Sequence, residues 1–140
     1  MLNATIIGQY FLYKNSNLTD IQIQKLVYYA YSWYMVKNKG KKLFEENPQA
    51  WIHGPVFRTL FDSMKNYKNF SETNEIGEIE KDITDFLDVI YSVYGKYSGN
   101  ELEKLTHSEL PWIKARCGLK PYEFSSNPIL DEDIMKCYGE

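Results

Sequence analysis

Apolar residues recur at helical spacing in the first part of the chain. Ile6, Ile7, Tyr10 and Phe11 follow one another at intervals of three and four, which predicts a short helix over 2–13. A second and longer helix is predicted from the polar break at 15–17 to Lys37, since Thr19 or Asp20 can cap its free N–H groups. Its predicted buried face contains Ile23, Leu26, Val27, Ala30, Trp33 and Tyr34.

Helical spacing stops between Lys41 and Gly54, where two short apolar patches flank a polar segment. Leu43-Phe44 and Ala50-Trp51-Ile52 lie on either side of Glu45-Glu46-Asn47-Pro48, so two short strands around a turn are predicted. Pro55 follows as the expected first residue of another helix, because a helix start needs no N–H there. The buried residues predicted for that helix are Val56, Leu60, Phe61 and Met64.

The second half of the chain predicts further helices after a polar loop over 66–77. A helix is expected over 78–94, with Ile83, Phe86, Leu87, Ile90, Val93 and Tyr94 facing inward. Ser98 and Glu101 form a capping-box pattern for a helix ending near His107. A short turn over 109–116 and a terminal helix over 131–138 complete a mainly α fold of about six helices with a minor two- or three-stranded β element. One domain is expected over 1–140.

Composition is typical of a globular chain that fills its core with aromatic rings. The 140 residues are 44 % hydrophobic, 25 % charged and 16 % aromatic, which excludes disorder. Apolar runs are too short to span a membrane, and no signal peptide is evident. Cys117 and Cys137 have no framework spacing, so reduced thiols and a cytoplasmic location are expected.

Charge is distributed unequally along the chain. Residues 1–70 contain nine basic and four acidic residues, a net charge of +5, whereas residues 71–140 contain seven and fifteen, a net charge of −8. This asymmetry indicates either a polar partner surface or two oppositely charged solvated faces.

No catalytic motif is present, so an enzyme or a bound cofactor is not expected. His53, His107, Cys117 and Cys137 lack the close pairing of structural zinc ligands. A nucleophilic pair of Cys117 with His107 is conceivable, but lone cysteines in helical domains usually have packing roles.

Direct nucleic-acid binding is the weaker alternative to protein binding. Its footprint would be the basic cluster of Lys37, Lys39, Lys41 and Lys42. The pI near 5.5 and the acidic second half argue against it, and solvated lysines at a helix end explain the cluster more simply.

Three segments together carry a family resemblance. They are Ile23-Gln24-Lys25-Leu26-Val27-Tyr28-Tyr29-Ala30 with Trp33-Tyr34; Leu43-Phe44 with Ala50-Trp51-Ile52-His53-Gly54-Pro55-Val56; and Leu105-Thr106-His107-Ser108-Glu109 with Pro111-Trp112-Ile113-Lys114-Ala115-Arg116. In this order and spacing the chain resembles the Panacea domain, also called the SocA-like antitoxin domain, which occurs in many phage-associated proteins.

The resemblance implies a non-catalytic antitoxin without metal or cofactor. Such a protein binds a cognate toxin directly, and one family member acts as an adaptor that delivers its toxin to a cellular protease. The alternative is a phage-associated nucleic-acid-binding regulator. A homo-oligomer and the choice between a bacterial and a phage origin stay open.

Nine residues are predicted to contribute to partner binding. The motif residues are Lys25, Trp51, His53, Arg58, His107 and Trp112, for which core packing or a satisfied helix end is the competing interpretation. Toxins that handle nucleotides or tRNA present basic surfaces, so an acidic helix carrying Glu78, Asp82 and Asp85 is expected to complement such a surface and speed encounter.

Overall fold

A single buried helix, α2 (Asp20–Lys37), forms the centre of the fold. This description comes from a computed structural model that covers residues 1–72 and 75–139; Thr73, Asn74 and Glu140 lie outside the described residues. Eleven of the 18 residues of α2 are buried, as expected of a helix with neighbours on all sides. Thr19 and Gln22 form a capping box at its start, which confirms the predicted Thr19 cap.

The other helices pack around α2 or against its neighbours. Within the described residues they are α1 (Ala4–Lys14), α3 (Arg58–Met64), α4 (Tyr67–Ser71), a 3-10 helix (Glu75–Glu78), α5 (Lys81–Tyr94), α6 (Gly99–His107), α7 (Leu110–Ala115) and α8 (Asp131–Tyr138). The predicted mainly helical class with a small sheet is confirmed. Among the described segments, none is both long enough and apolar enough to cross a membrane as a helix.

Aromatic side chains fill the core, as the composition indicates. Tyr28, Tyr29 and Tyr31 of α2 are each at most 1 % exposed. Tyr31 packs with Phe44 and Phe57, whose ring centroids lie 5.3 and 5.4 Å from its own. These large rings let a chain of this size bury a continuous core.

The β element is a hairpin that the sequence pattern misplaces. Strands β1 (Gln49–Trp51) and β2 (Gly54–Val56) are antiparallel, and Trp51 pairs with Gly54 across the turn at 52–53. The strand predicted at Leu43-Phe44 is therefore wrong, because both side chains are buried in the core outside any strand.

Pro55 was predicted to begin a helix, and this prediction is wrong, because Pro55 lies in β2. It pairs with Ala50, whose carbonyl oxygen accepts from the Arg116 guanidinium at 3.1 Å and whose N–H donates to the Asn127 carbonyl at 2.8 Å, so this position of the ladder requires no N–H from a proline. The next helix, α3, begins at Arg58.

Three other expectations about burial and loops also fail. The predicted loop over 66–77 contains α4 and the start of the 3-10 helix, and Phe70 of α4 is only 3 % exposed because it anchors that segment in the core. Phe61 and Val93, predicted to be buried, are 36 % and 47 % exposed. Phe61 is only partly covered by Trp51, whose ring centroid lies 4.9 Å away, and Val93 lines a groove beside α2 that no other element of the described residues covers.

Candidate functional site

The three motif segments converge on the hairpin. Lys25 extends from α2 beneath β2, Thr106 and His107 lie at the end of α6, and Trp112 comes from α7. The Trp112 indole N–H donates to the carbonyl oxygen of Trp51 at 2.8 Å. Residues far apart in the sequence therefore hold the hairpin in one position.

Lys25 is a buried cation directly under the hairpin. Its side chain is 1 % exposed, and Nζ donates to the Pro55 carbonyl oxygen at 3.2 Å. Burial lowers the pKa of Lys25 to about 8, although the nearby Glu103 carboxylate opposes this effect. Because it is buried, Lys25 can affect a partner surface only by holding the hairpin in position.

Gly54 is required where β2 crosses Lys25. Its φ of +116° is rarely adopted by other residues, and a Cβ atom at this position would lie 2.6 Å from Lys25 Cε. The Gly-Pro pair of the motif therefore has a steric explanation.

His107 and Trp112 form a stacked pair behind the hairpin. Their ring centroids are 3.8 Å apart with an interplanar angle of 10°. Burial lowers the pKa of His107, so its neutral form is favoured near neutral pH, and among the described residues its Nε2 atom has no hydrogen-bond partner. This pair supports the hairpin from the side of α6 and α7.

Two further buried residues fix the hairpin and were missed by sequence reasoning. Gln24 accepts from the Phe57 N–H at 2.9 Å and donates to the Phe57 carbonyl at 3.2 Å, which fixes the junction of β2 with α3. Arg116 donates to the Ala50 carbonyl at 3.1 Å and to the Glu123 carbonyl at 2.6 Å, which ties the segment after α7 to β1. Gln24 lies in the first motif segment and Arg116 in the third, and this placement was the sequence signal that could have identified them.

The outer side of the hairpin presents an aromatic and cationic cluster, here called the hairpin surface. It consists of Trp51, His53, Arg58, Phe61 and Phe124. Trp51 lies 4.9 Å from Phe61 and 6.0 Å from Phe124 between ring centroids, and the Arg58 guanidinium lies 5.9 Å from the Trp51 ring. The structure therefore brings together the predicted residues Trp51, His53 and Arg58.

Most of the hairpin surface is accessible. Phe61 is 36 % exposed and Phe124 67 %, while Trp51 is half-buried. His53 is exposed, and its Nδ1 atom lies 3.2 Å from the Glu103 carboxylate. Beside the cluster is a cavity of about 330 Å³ lined by Trp51, Val56, Phe61, Met64 and Ile21 among others.

The predicted acidic residues form a second group. Asp82 and Asp85 lie on α5, but Glu78 lies in the preceding 3-10 helix and not on the helix that was predicted to carry it. All three side chains are exposed. Asp85 forms an ion pair with Lys81, with 2.8 Å between Oδ2 and Nζ, so part of the negative charge of this group is already compensated within the chain.

The basic cluster over 37–42 is partly engaged in internal contacts. Lys42 forms an ion pair with Asp131 at 3.4 Å and donates to Asn47 Oδ1 at 2.8 Å. Lys37 extends over the Phe86 ring. These contacts leave fewer lysines for phosphate groups than the sequence suggests.

Residues 1–72 and 75–139 do not form a candidate metal-binding site or a candidate catalytic thiol site. That part of the chain contains no group of three or more His, Cys, Asp or Glu residues placed to hold a metal ion. Cys117 is exposed and Cys137 is half-buried, and the His107 ring is stacked on Trp112.

Glu109 is a half-buried acid that was not among the predicted site residues. Its Oε1 atom accepts hydrogen bonds from Tyr29 at 2.7 Å and from Tyr138 at 2.8 Å, and the Tyr138 hydroxyl also lies 3.1 Å from that of Tyr28. Burial raises the pKa of Glu109, whereas the two tyrosine hydrogen bonds oppose that rise. The network joins α2, α8 and the start of α7.

Comparison with known proteins agrees with this arrangement. A family model described as "Antitoxin SocA-like, Panacea domain" matches residues 23–113, a range that includes most of α2, the hairpin, α6 and Trp112. The search of curated proteins and the search of solved structures each gave no significant match. The match covers well over half of the 140 residues, and the chain belongs to the family of SocA-like antitoxins with a Panacea domain.

Proposed function

We propose that this protein is an antitoxin that neutralises a cognate toxin by direct stoichiometric binding, without catalysis and without a cofactor. Membership of the antitoxin family supports the class of function. The observation that carries the proposal is the hairpin surface, where the rings of Phe61 and Phe124 each lie near the Trp51 ring and the Arg58 guanidinium lies near the same ring. Tryptophan and arginine are the side chains most enriched at the energetic centres of protein interfaces.

The hairpin surface is held in place before a partner arrives. Trp112 binds the Trp51 carbonyl, Lys25 binds the Pro55 carbonyl and Arg116 binds the Ala50 carbonyl. A surface fixed by its own chain loses little conformational entropy on binding, so more of the contact energy appears as affinity. Pre-organisation of this kind suits an antitoxin that has to hold its toxin tightly.

Each predicted site residue has a role in this proposal. Trp51, His53 and Arg58 contact the toxin, and Lys25, His107 and Trp112 position them. Glu78, Asp82 and Asp85 supply a negative field that accelerates encounter with a basic toxin.

Growth rescue combined with co-purification tests the proposal. The reading frame adjacent to this gene is expressed alone and then together with this chain, and the pair is purified through a tag on one member. We expect arrest by the neighbour, recovery of growth with the pair, and a complex of the two proteins. A harmless neighbour that does not co-purify would refute the assignment.

Blocking and protease delivery are the two forms of neutralisation that the family resemblance implies. We propose blocking, since the hairpin surface can neutralise a toxin by binding to a complementary surface on it. Toxin abundance after translation is stopped distinguishes the two. Blocking predicts that the antitoxin leaves toxin abundance unchanged or raises it, whereas faster loss of toxin in its presence would establish an adaptor.

A further inference from the structure

Helices α2 and α5 leave an apolar groove open on a face that the hairpin surface does not use. The groove has a volume of about 380 Å³ and is lined by Trp33, Lys37, Phe86, Val89, Ile90, Val93 and Tyr94. Val89 is 59 % exposed and Val93 is 47 % exposed, although both belong to a regular helix. This α5 groove is therefore an apolar surface without a covering element in the described chain.

Opposite charges lie at the two ends of the exposed stripe of α5. Asp85 lies four residues before Val89, on the same side of the helix. Lys96 lies three residues after Val93, and Gly95 before it keeps helical backbone angles, so the backbone position of Lys96 continues the stripe. Its exposed ammonium lies 5.5 Å from the Tyr97 ring centroid and is in no ion pair among the described residues. The stripe therefore has an acidic start, an apolar middle and a basic end.

A stripe with this order of charges is complementary to a second copy of itself in the antiparallel direction. When Val89 faces Val93 of the partner subunit, Asp85 comes next to Lys96 of the partner subunit, and the same pairs repeat on the other side of a two-fold axis. We propose that two copies of this chain form a symmetric dimer through the α5 groove, with the apolar middle of one α5 seated between α2 and α5 of the other.

The existing contacts of these charges do not oppose the arrangement. Asp85 is paired with Lys81 at 2.8 Å, but both side chains are more than half exposed, and such exposed i,i+4 pairs contribute little to stability. Re-pairing of Asp85 with Lys96 of the partner subunit is therefore inexpensive.

Sedimentation equilibrium of the purified chain alone tests this dimer. Over concentrations from about 1 to 300 µM, we expect the average mass to rise from 16.5 kDa towards twice that value. Val89→Asp and Val93→Asp each place a charge in the apolar middle and are expected to weaken association at least tenfold. Ile113→Asp is the matched control, because Ile113 is 47 % exposed but lies on α7.

A charge swap tests the predicted pairing more specifically. Lys96→Glu alone is expected to weaken the dimer, and adding Asp85→Lys in the same chain restores it, because each interface regains two opposite pairs. Lys136→Glu, an exposed change on α8, serves as the control. A chain that stays monomeric at all concentrations would overturn the proposal; if Val89→Asp then lowers toxin affinity, the groove binds toxin and not a second copy. A double variant that dimerises no more strongly than Lys96→Glu would also overturn it. The sedimentation measurements contain no toxin, so their outcome is independent of the proposed antitoxin activity, and toxin affinity is measured separately.

Discussion

The Lys25 ammonium donates a hydrogen bond to the carbonyl oxygen of Pro55 at 3.2 Å, although the lysine itself is only 1 % exposed. The contact joins the central helix to the strand that carries the hairpin surface. A buried cation with one carbonyl partner is a costly way to hold two elements together. It follows that Lys25 is one of the side chains on which the position of β2 depends.

Replacing Lys25 with methionine should change how stability depends on pH. The pKa of Lys25 is lowered from 10.5 to about 8 in the folded chain, so between these values the unfolded chain binds a proton that the folded chain does not. Stability contributed by this site therefore rises as pH increases through that window, by about 1 kcal/mol per pH unit near pH 9. Urea unfolding at pH 7.5 to 9.5 measures this slope.

The Lys25→Met variant is expected to lack that increment, whereas Lys136→Met, at an exposed site on α8, should keep it. Identical slopes in the wild type and in Lys25→Met would contradict the lowered pKa of the buried ammonium.

Gly54→Ala should destabilise the protein by about 2 kcal/mol more than Gly118→Ala. Both glycines have positive φ, +116° and +89°, so both substitutions introduce backbone strain. Only at Gly54 does the new methyl group also meet a neighbour, since Lys25 Cε would lie 2.6 Å away, whereas Gly118 faces open space. Thermal unfolding of the two variants compares them directly, and equal losses would mean that the approach of Lys25 to β2 is unimportant.

Glu109→Ala should cost about 2 kcal/mol of stability, while Glu109→Gln should cost less than half of that. The alanine leaves the hydroxyls of Tyr29 and Tyr138 without their shared acceptor, whereas glutamine keeps an oxygen at the same place. Chemical unfolding at neutral pH distinguishes the two. A glutamine variant as unstable as the alanine variant would show that the carboxylate charge, and not the acceptor, holds the network together.

Reversing Glu78 of the 3-10 helix and Asp82 in the first turn of α5 should slow association with the toxin. Glu78→Lys combined with Asp82→Lys removes the negative field, so the association rate should fall and its dependence on salt should flatten, with little change in dissociation. Asp85 is left unchanged because Lys81 already compensates it. Stopped-flow mixing measures the rate, with Glu132→Lys on α8 as the charge control. Unchanged kinetics in the double variant would remove the acidic residues from the binding account.

Helix α2 shows what local patterns can determine. Its Thr19 cap and its end near Lys37 follow from neighbouring residues alone, and the structure confirms both. The same holds for the capping box of Ser98 with Glu101 at the start of α6. The single buried face predicted from apolar spacing is only partly correct, because residues on nearly all sides of α2 are buried while Trp33 and Tyr34 are half-buried.

The hairpin shows where local patterns fail. Gly54-Pro55 is a plausible helix start by sequence, but the chain uses both residues in β2 because Lys25 approaches Gly54 and binds the Pro55 carbonyl. These contacts span about 30 positions along the chain and leave no local pattern.

The site was predictable only in part for the same reason. Trp51, His53 and Arg58 lie close together in sequence, so their common surface could be inferred. Phe124 lies near Trp51 through long-range contacts, among them the hydrogen bonds of Arg116 to the carbonyls of Ala50 and Glu123. No spacing rule connects residues this far apart.

The affinity of the purified cognate toxin for hairpin-surface variants tests the central claim most directly. The double variant Arg58→Glu with Phe124→Ser changes two exposed side chains, and titration calorimetry should show a loss of at least 100-fold, or about 2.7 kcal/mol. The control pair, Lys136→Glu with Tyr13→Ser, makes the same changes of charge and aromatic area elsewhere and should bind within about threefold of the wild type. If the hairpin double variant folds with an unchanged circular dichroism spectrum and still binds as tightly as the control, toxin recognition through the hairpin surface is contradicted.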